Sequence, residues 1–153
     1  MATTLREEVV KTINNLIEVN EEGKEGYELA ARNVDHMEYQ SLFQRYAQQR
    51  AEFAGSLRSQ LASMGGEDKH NLVTDAAAAL HRGWMNLKSV VAAGDSEAIL
   101  NECVRGDKAA VEAYESALKE ANLPAEISTL LRSQYNAISE AYHDVKSKAK
   151  LED

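Results

Sequence analysis

The sequence predicts an all-α protein, and three observations carry that prediction. One proline and eight glycines in 153 residues leave little of the turn punctuation that a many-stranded fold requires. Apolar residues recur at every third or fourth position over long segments, which is the period of an amphipathic helix. With 44% apolar residues, the chain has enough material for one core of ordinary domain size. We therefore expect residues 1–153 to form a single helical domain.

The first two predicted helices cover about residues 4–34 and 36–64. Thr4 and Glu7 have the spacing of a capping box, in which two side chains accept hydrogen bonds from free backbone amides. Asp35, three residues before a glutamate, gives the same signal at the start of the second helix. A glycine pair then ends that helix. Since one residue separates the two helices, we expect a long antiparallel hairpin.

A polar stretch with paired glycines, residues 65–71, predicts a crossover loop. The third helix then covers about residues 74–92, carries Trp84 on its apolar stripe and ends before Gly94. It is shorter than the first two helices. We expect it to connect two long hairpins.

The fourth and fifth predicted helices cover about residues 95–121 and 124–149. Asp95 is a favourable cap for the fourth, and the sequence Asn-Leu-Pro at 122–124 turns the chain into the fifth. Two long hairpins joined by a crossover with one short helix are typical of an antiparallel four-helix bundle. The predicted fold is therefore such a bundle with one extra helix.

The charge of the chain disfavours several classes of partner. Seventeen Lys and Arg against 25 Asp and Glu give a net charge of −8, which repels phosphate backbones and anionic lipids. No apolar run approaches the roughly 18 residues needed to span a bilayer, and the first residues lack a signal-peptide profile. Cys103 has no second cysteine to pair with, which fits a reducing compartment. We expect a cytoplasmic protein that binds neither nucleic acid nor membranes.

Polar residues interrupt the apolar stripes near the middle of the long helices, and they predict a buried polar layer. The six residues of this layer are Asn20, Lys24, Gln49, Arg50, Asp107 and Gln134. A buried cation is costly unless it is paired, so we expect Arg50 or Lys24 to pair with Asp107. The favoured interpretation is a structural layer that fixes one packing of the helices. The alternative is a polar cavity for a small molecule, to which three of the six tyrosines, Tyr27, Tyr46 and Tyr114, would contribute.

Short motifs along nearly the whole chain resemble one known family. They are Asn15-Leu16-Ile17-Glu18, Glu22-Gly23, Gly26-Tyr27, His81-Arg82-Gly83-Trp84 with Leu87-Lys88, and Glu102 with Arg105-Gly106-Asp107. In combination they resemble the bacterial ferritin-like four-helix-bundle family of unknown function. The resemblance implies a fold and no activity. The wider ferritin-like group includes di-iron carboxylate proteins and suggests an association with stress.

A di-metal carboxylate site requires a glutamate from each of two helices and Glu-x-x-His from each of the other two. One such spacing lies on a predicted helix, from Glu140 to His143, and the full candidate set is Glu18, Glu52, Glu102, Glu140 and His143. At about 100° per residue, Glu18 and Glu140 fall opposite their apolar stripes, and Glu52 and Glu102 fall on the flanks. Cover of a flank by the short helix would bring such a residue inside. We expect solvated helix faces, with no metal and no catalytic residue.

The function expected from the sequence is therefore that of a non-catalytic structural or protein-binding component. A homodimer or a separate protein partner is expected, and the exposed apolar residues Val10 and Val111 are candidates for a dimer face. One alternative is a di-iron or di-manganese protein that handles oxygen or peroxide. The other is the small-molecule binder described above.

Overall fold

A computed structural model describes residues 5–67, 75–120 and 123–152 of the protein. Within these ranges the chain is all-helical and contains no strand, which confirms the predicted all-α class. The helices are α1 (Leu5–Asn33), α2 (Met37–Ser63), α3 (Asp75–Trp84), α4 (Leu87–Ala93), α5 (Ser96–Leu118) and α6 (Ala125–Glu152). None of them has a segment long and apolar enough to cross a membrane.

The long helices pack in pairs. α1 lies along α2, α5 lies along α6, and α1 also packs against α5, so that the two pairs share one core. Periodic apolar side chains form this core, as the helical period predicts. Ile13, Phe43, Leu100 and Ile138, one from each long helix, are fully buried. The short helix α3 lies across α5 and α1 and covers one side of the core.

The prediction of one helix over residues 74–92 is wrong, because the chain turns at Met85–Asn86 and forms α3 and α4 instead. The Met85 amide bonds to the carbonyl of Arg82 in a tight turn, and α4 starts after Asn86. Gly83 and Asn86 are weak helix formers, and burial of Trp84 fixes the end of α3. The apolar period continues through the turn, so the sequence pattern does not reveal it.

The two helix starts that the sequence assigned to aspartates differ in outcome. Asp95 caps α5, since its side chain accepts a hydrogen bond from the Ala98 amide at 3.3 Å, as predicted. The cap predicted at Asp35 is wrong, because His36 occupies the cap position of α2 without a side-chain cap bond. The Asp35 amide instead donates to Ser96 Oγ at 3.1 Å. The predicted cap at Thr4 lies outside the described residues.

Candidate functional site

The core contains a buried ion pair between α2 and α5. Arg50 Nη1 lies 2.9 Å from Asp107 Oδ1, and the two side chains are 1% and 0% exposed. Of the two cations expected near Asp107, Arg50 makes the pair, whereas Lys24 is partly exposed on α1. Both charges lose their hydration at this depth, so close contact and further hydrogen bonds must offset a large desolvation cost.

Tyr27 of α1 supplies one of those further hydrogen bonds. Its hydroxyl donates to Asp107 Oδ2, the carboxylate oxygen that Arg50 does not bind. The Tyr27 ring also lies beside the guanidinium, with Arg50 Cζ 5.4 Å from the ring centroid, within the range of a cation–π contact. Arg50 Nε donates to Gln49 Oε1 at 3.1 Å. The Asp107 carboxylate thereby joins α1, α2 and α5.

A second chain of hydrogen bonds reaches α6. Asn20 Nδ2 donates to the Tyr114 hydroxyl and to the Leu16 carbonyl, both at 2.8 Å. The Tyr114 hydroxyl donates to Gln134 Oε1 at 2.7 Å, and Gln134 Nε2 donates to the Phe53 carbonyl at 3.4 Å. Polar contacts therefore cross between all four long helices. We call this second chain and the Arg50–Asp107–Tyr27 cluster together the polar network.

Burial controls the protonation chemistry of the polar network. The pKa of the Tyr27 phenol is well above its usual value, because burial and the nearby Asp107 charge disfavour the phenolate. Burial also raises the pKa of Tyr114, against opposing effects of the Asn20 hydrogen bond and the Arg50 charge. For Arg50, burial lowers the pKa but the Asp107 charge outweighs it, so the net shift is upward. These three side chains therefore stay in their ordinary protonation states at neutral pH.

The six residues of the predicted layer have different environments. Asn20, Arg50, Asp107 and Gln134 are buried, while Lys24 and Gln49 are only partly buried. The surface clefts in the described part of the chain include three of about 490, 340 and 100 Å³. Among the layer residues, Lys24 alone lines one of these three clefts. The buried part of the polar network is thus packed between helices and does not line these clefts.

Next to the polar network, Trp84 of α3 enters a slot formed by two glycines on neighbouring helices. A Cβ atom added at Gly26 of α1 would lie 2.4 Å from Trp84 Cε3. One added at Gly106 of α5 would lie 2.1 Å from Trp84 Cε2. No real Cβ approaches a carbon so closely, so neither position accepts a side chain without displacing the indole. Close approach therefore explains these two glycines within helices, whereas nothing lies within 4 Å of a Cβ at Gly55.

The five residues considered for a di-metal site differ in their exposure to solvent. Glu102 is buried, because α3 covers its flank of α5, and its Oε2 accepts a hydrogen bond from Arg105 Nη1 at 2.9 Å. Glu52, Glu140 and His143 are exposed, and Glu18 is partly exposed. In the ranges that the structure describes, no three His, Cys, Asp or Glu side chains are grouped to hold a metal ion. A bridged di-metal centre requires its ligands to converge inside the bundle.

The largest of the three clefts, about 490 Å³, lies between α1 and the α3–α4 segment. Trp84, Leu29 and Leu87 contribute apolar surface to it. Glu22 on the α1 side lies 3.8 Å from His81 on α3. Partial burial raises the pKa of the Glu22 carboxyl, and the neighbouring His81 opposes that shift.

A comparison with protein families gives one result. A family model described as a domain of unknown function, DUF2383, matches residues 8–120. The chain belongs to the DUF2383 family. Among curated proteins, none matches the sequence. The DUF2383 match contains Tyr27, Arg50 and Asp107, while Gln134 on α6 lies beyond it.

In this DUF2383 protein the sequence associates Tyr27 and Tyr114 with the polar layer only in the small-molecule alternative, and it does not predict that their hydroxyls hydrogen-bond to Asp107, Asn20 and Gln134. Tyr27 and Tyr114 lie on apolar stripes, so the helical period assigns them to the core along with the aliphatic residues. The sequence does contain a signal for this role. Tyr27 lies one helical turn from Lys24, a residue of the predicted layer, and a buried tyrosine hydroxyl requires a hydrogen-bond partner. Tyr46, the third tyrosine considered, is partly buried and donates to Asp144 Oδ2 at 2.7 Å.

Proposed function

We propose that this chain is a ferritin-like four-helix bundle without metal chemistry, serving as a structural or protein-binding component of the bacterial cytoplasm. The pairing of α1 with α2 and of α5 with α6 supports the bundle arrangement. One observation carries the functional part of the proposal. Both oxygens of the buried Asp107 carboxylate are engaged, one by Arg50 and one by Tyr27. The carboxylate therefore holds three helices together through both of its oxygens.

The buried nucleophile also supports a non-catalytic role. Cys103 is fully buried on α5, and burial together with the Asp107 charge raises the pKa of its thiol well above the usual range. The thiolate is the reactive form, so this side chain is inert at neutral pH. A small, buried, protonated cysteine acts as part of the core.

Metal analysis tests the proposal against the di-iron or di-manganese alternative. The protein is loaded anaerobically with ferrous iron or manganese, desalted and analysed for metal per chain. Glu102→Gln and His143→Ala serve as matched variants, because they remove the most buried candidate ligand and the histidine of the Glu-x-x-His spacing on α6. We expect no retained metal in any of the three proteins. About two metal ions per wild-type chain, lost in both variants, would contradict the proposal.

A protein-binding role requires a surface that suits a partner. The 490 Å³ cleft provides an apolar floor with charged walls, and Met85 at its edge is 57% exposed. Exposed apolar anchors within a polar rim are typical of protein interfaces. The cleft is therefore the surface that we assign to partner binding.

A further inference from the structure

We infer that the cleft between α1 and the α3–α4 segment binds a second copy of this chain, in a dimer with two-fold symmetry. This inference rests on the proposed protein-binding role and names the partner. The cleft has an exposed apolar anchor, and its two walls differ in charge in a way that makes the surface complementary to itself.

The apolar anchor is Met85, at the turn between α3 and α4. In the described part of the chain, Met37 and Met85 are the large apolar side chains that are well exposed. Met85 lines the cleft together with Trp84 and Leu87, so its exposed surface is continuous with an apolar floor. A flexible methionine beside a concave apolar floor suits reciprocal insertion, in which each copy fills the cleft of the other.

The two walls of the cleft carry opposite charge. The α1 wall presents Glu22, Glu25 and Glu28 at successive turns, and the α3–α4 wall presents the cation Lys88 and the side chain of His81, which is charged only when protonated. Arg32 adds a cation at the end of the α1 wall, so the lining is nearly neutral in a chain with a net charge of −8. Self-association through this surface therefore avoids most of the repulsion that the remaining surface imposes.

Several of these charges have no ion-pair partner among the described residues. Glu25, Glu28 and Lys88 make no ion pair with another described residue, while Glu22 lies 3.8 Å from His81. These charged side chains on the two walls are therefore available to pair with charges of a partner. Such a partner must present a basic row opposite α1 and an acidic row opposite α3–α4.

A second copy of the chain meets this requirement by symmetry. A two-fold axis that runs along the cleft places the acidic α1 wall of each copy against the basic α3–α4 wall of the other. Every contact then occurs twice, as in any isologous interface. The proposed dimer face differs from the one suggested by Val10 and Val111, since both valines are partly buried against the core.

Sedimentation of the full chain at a low and a high protein concentration tests the inference. We expect a dimer that dissociates on dilution and weakens with added salt, because charge pairs at the rim are screened. Met85→Asp, Lys88→Glu and Glu25→Lys are each expected to raise the dimer dissociation constant about tenfold or more, because each change acts twice across the two-fold axis. Met37→Asp is the matched control. Its side chain is 80% exposed outside the cleft, and the variant should dimerise like the wild type.

Dimerisation of a mixture of two charge variants tests the proposed pairing of the walls most directly. Lys88→Glu and Glu25→Lys each place like charges opposite one another, but a heterodimer of the two restores opposite charges on both sides. We expect the mixture to dimerise more tightly than either variant alone. A monomeric wild-type chain, a Met37→Asp variant that loses dimerisation like Met85→Asp, or a mixture that stays monomeric would overturn the inference. Because metal retention is measured separately, a monomeric chain without metal leaves the proposed function standing with another protein as partner.

Discussion

Arg50 and Asp107, 57 residues apart in sequence, form an ion pair at 2.9 Å in the core of the protein. The pair links α2 to α5, and Tyr27 adds α1 through the second oxygen of the same carboxylate. Directional contacts of this kind penalise a slipped or rotated helix, because a shift by one residue leaves a buried charge without its partner. The polar network therefore selects one packing among several that the apolar stripes would allow.

The glycine slot around Trp84 predicts a contrast between two Gly→Ala substitutions. Gly106→Ala places a methyl group inside the indole, and we expect it to lower the free energy of unfolding by about 1–3 kcal/mol. Gly55→Ala meets nothing within 4 Å and should raise the free energy of unfolding by up to about 1 kcal/mol, the usual gain for alanine in a helix. Urea unfolding measures both effects. Trp84 is the only tryptophan, so its emission also reports displacement of the ring in Gly106→Ala. Equal effects at the two positions would contradict the slot.

The raised pKa values of Tyr27 and Tyr114 predict a loss of stability at alkaline pH. The folded state holds both phenolic protons, whereas the unfolded chain releases them above a pH of about 10. Stability is therefore fully present below that pH and falls as the pH rises further, by about 1.4 kcal/mol per pH unit for each tyrosine. Urea unfolding at several alkaline pH values measures this slope. In Tyr114→Phe the slope should decrease by the contribution of one tyrosine, and an unchanged slope would show that Tyr114 ionises in the folded state.

The burial of Cys103 predicts slow reaction with thiol reagents. Its thiol is inaccessible in the folded protein and its pKa is raised, so modification requires opening of the core. We expect an aromatic disulfide reagent to react at the rate of a free thiol in denaturant and far more slowly under native conditions. Native reaction at the free-thiol rate would contradict the burial of this residue. Gly106→Ala should accelerate the native reaction, since it loosens the same region of α5.

The helical period was sufficient to predict the helix class, the core stripes and the depth of Arg50 and Asp107. These properties depend on positions within one helix, where the rotation per residue fixes which face a side chain occupies. The choice of Arg50 over Lys24 as the partner of Asp107 depends on how α1 and α2 rotate against α5. The apolar stripe of a helix is several residues wide, so it leaves a range of possible rotations and does not determine which cation reaches Asp107.

The remaining discrepancies follow from the position of α3. Glu102 lies on the flank of its own helix, and the sequence places it near solvent, but packing of α3 on α5 buries it. The turn at Met85–Asn86 likewise follows directly after Trp84, whose indole is held between α1 and α5. Contacts between helices distant in sequence determine both features, and a single sequence contains no direct record of such contacts.

The free energy of unfolding of Asp107→Leu, compared with that of Arg50→Met/Asp107→Leu, tests the structural role of the polar network most directly. The single variant leaves a buried cation unpaired and should lose about 3–5 kcal/mol, whereas the double variant should recover most of that loss. Glu21→Gln is the control, because it removes one side of a partly exposed ion pair with Arg58 and should cost about 1 kcal/mol or less. A denaturation midpoint for Asp107→Leu close to that of the wild type would contradict the account.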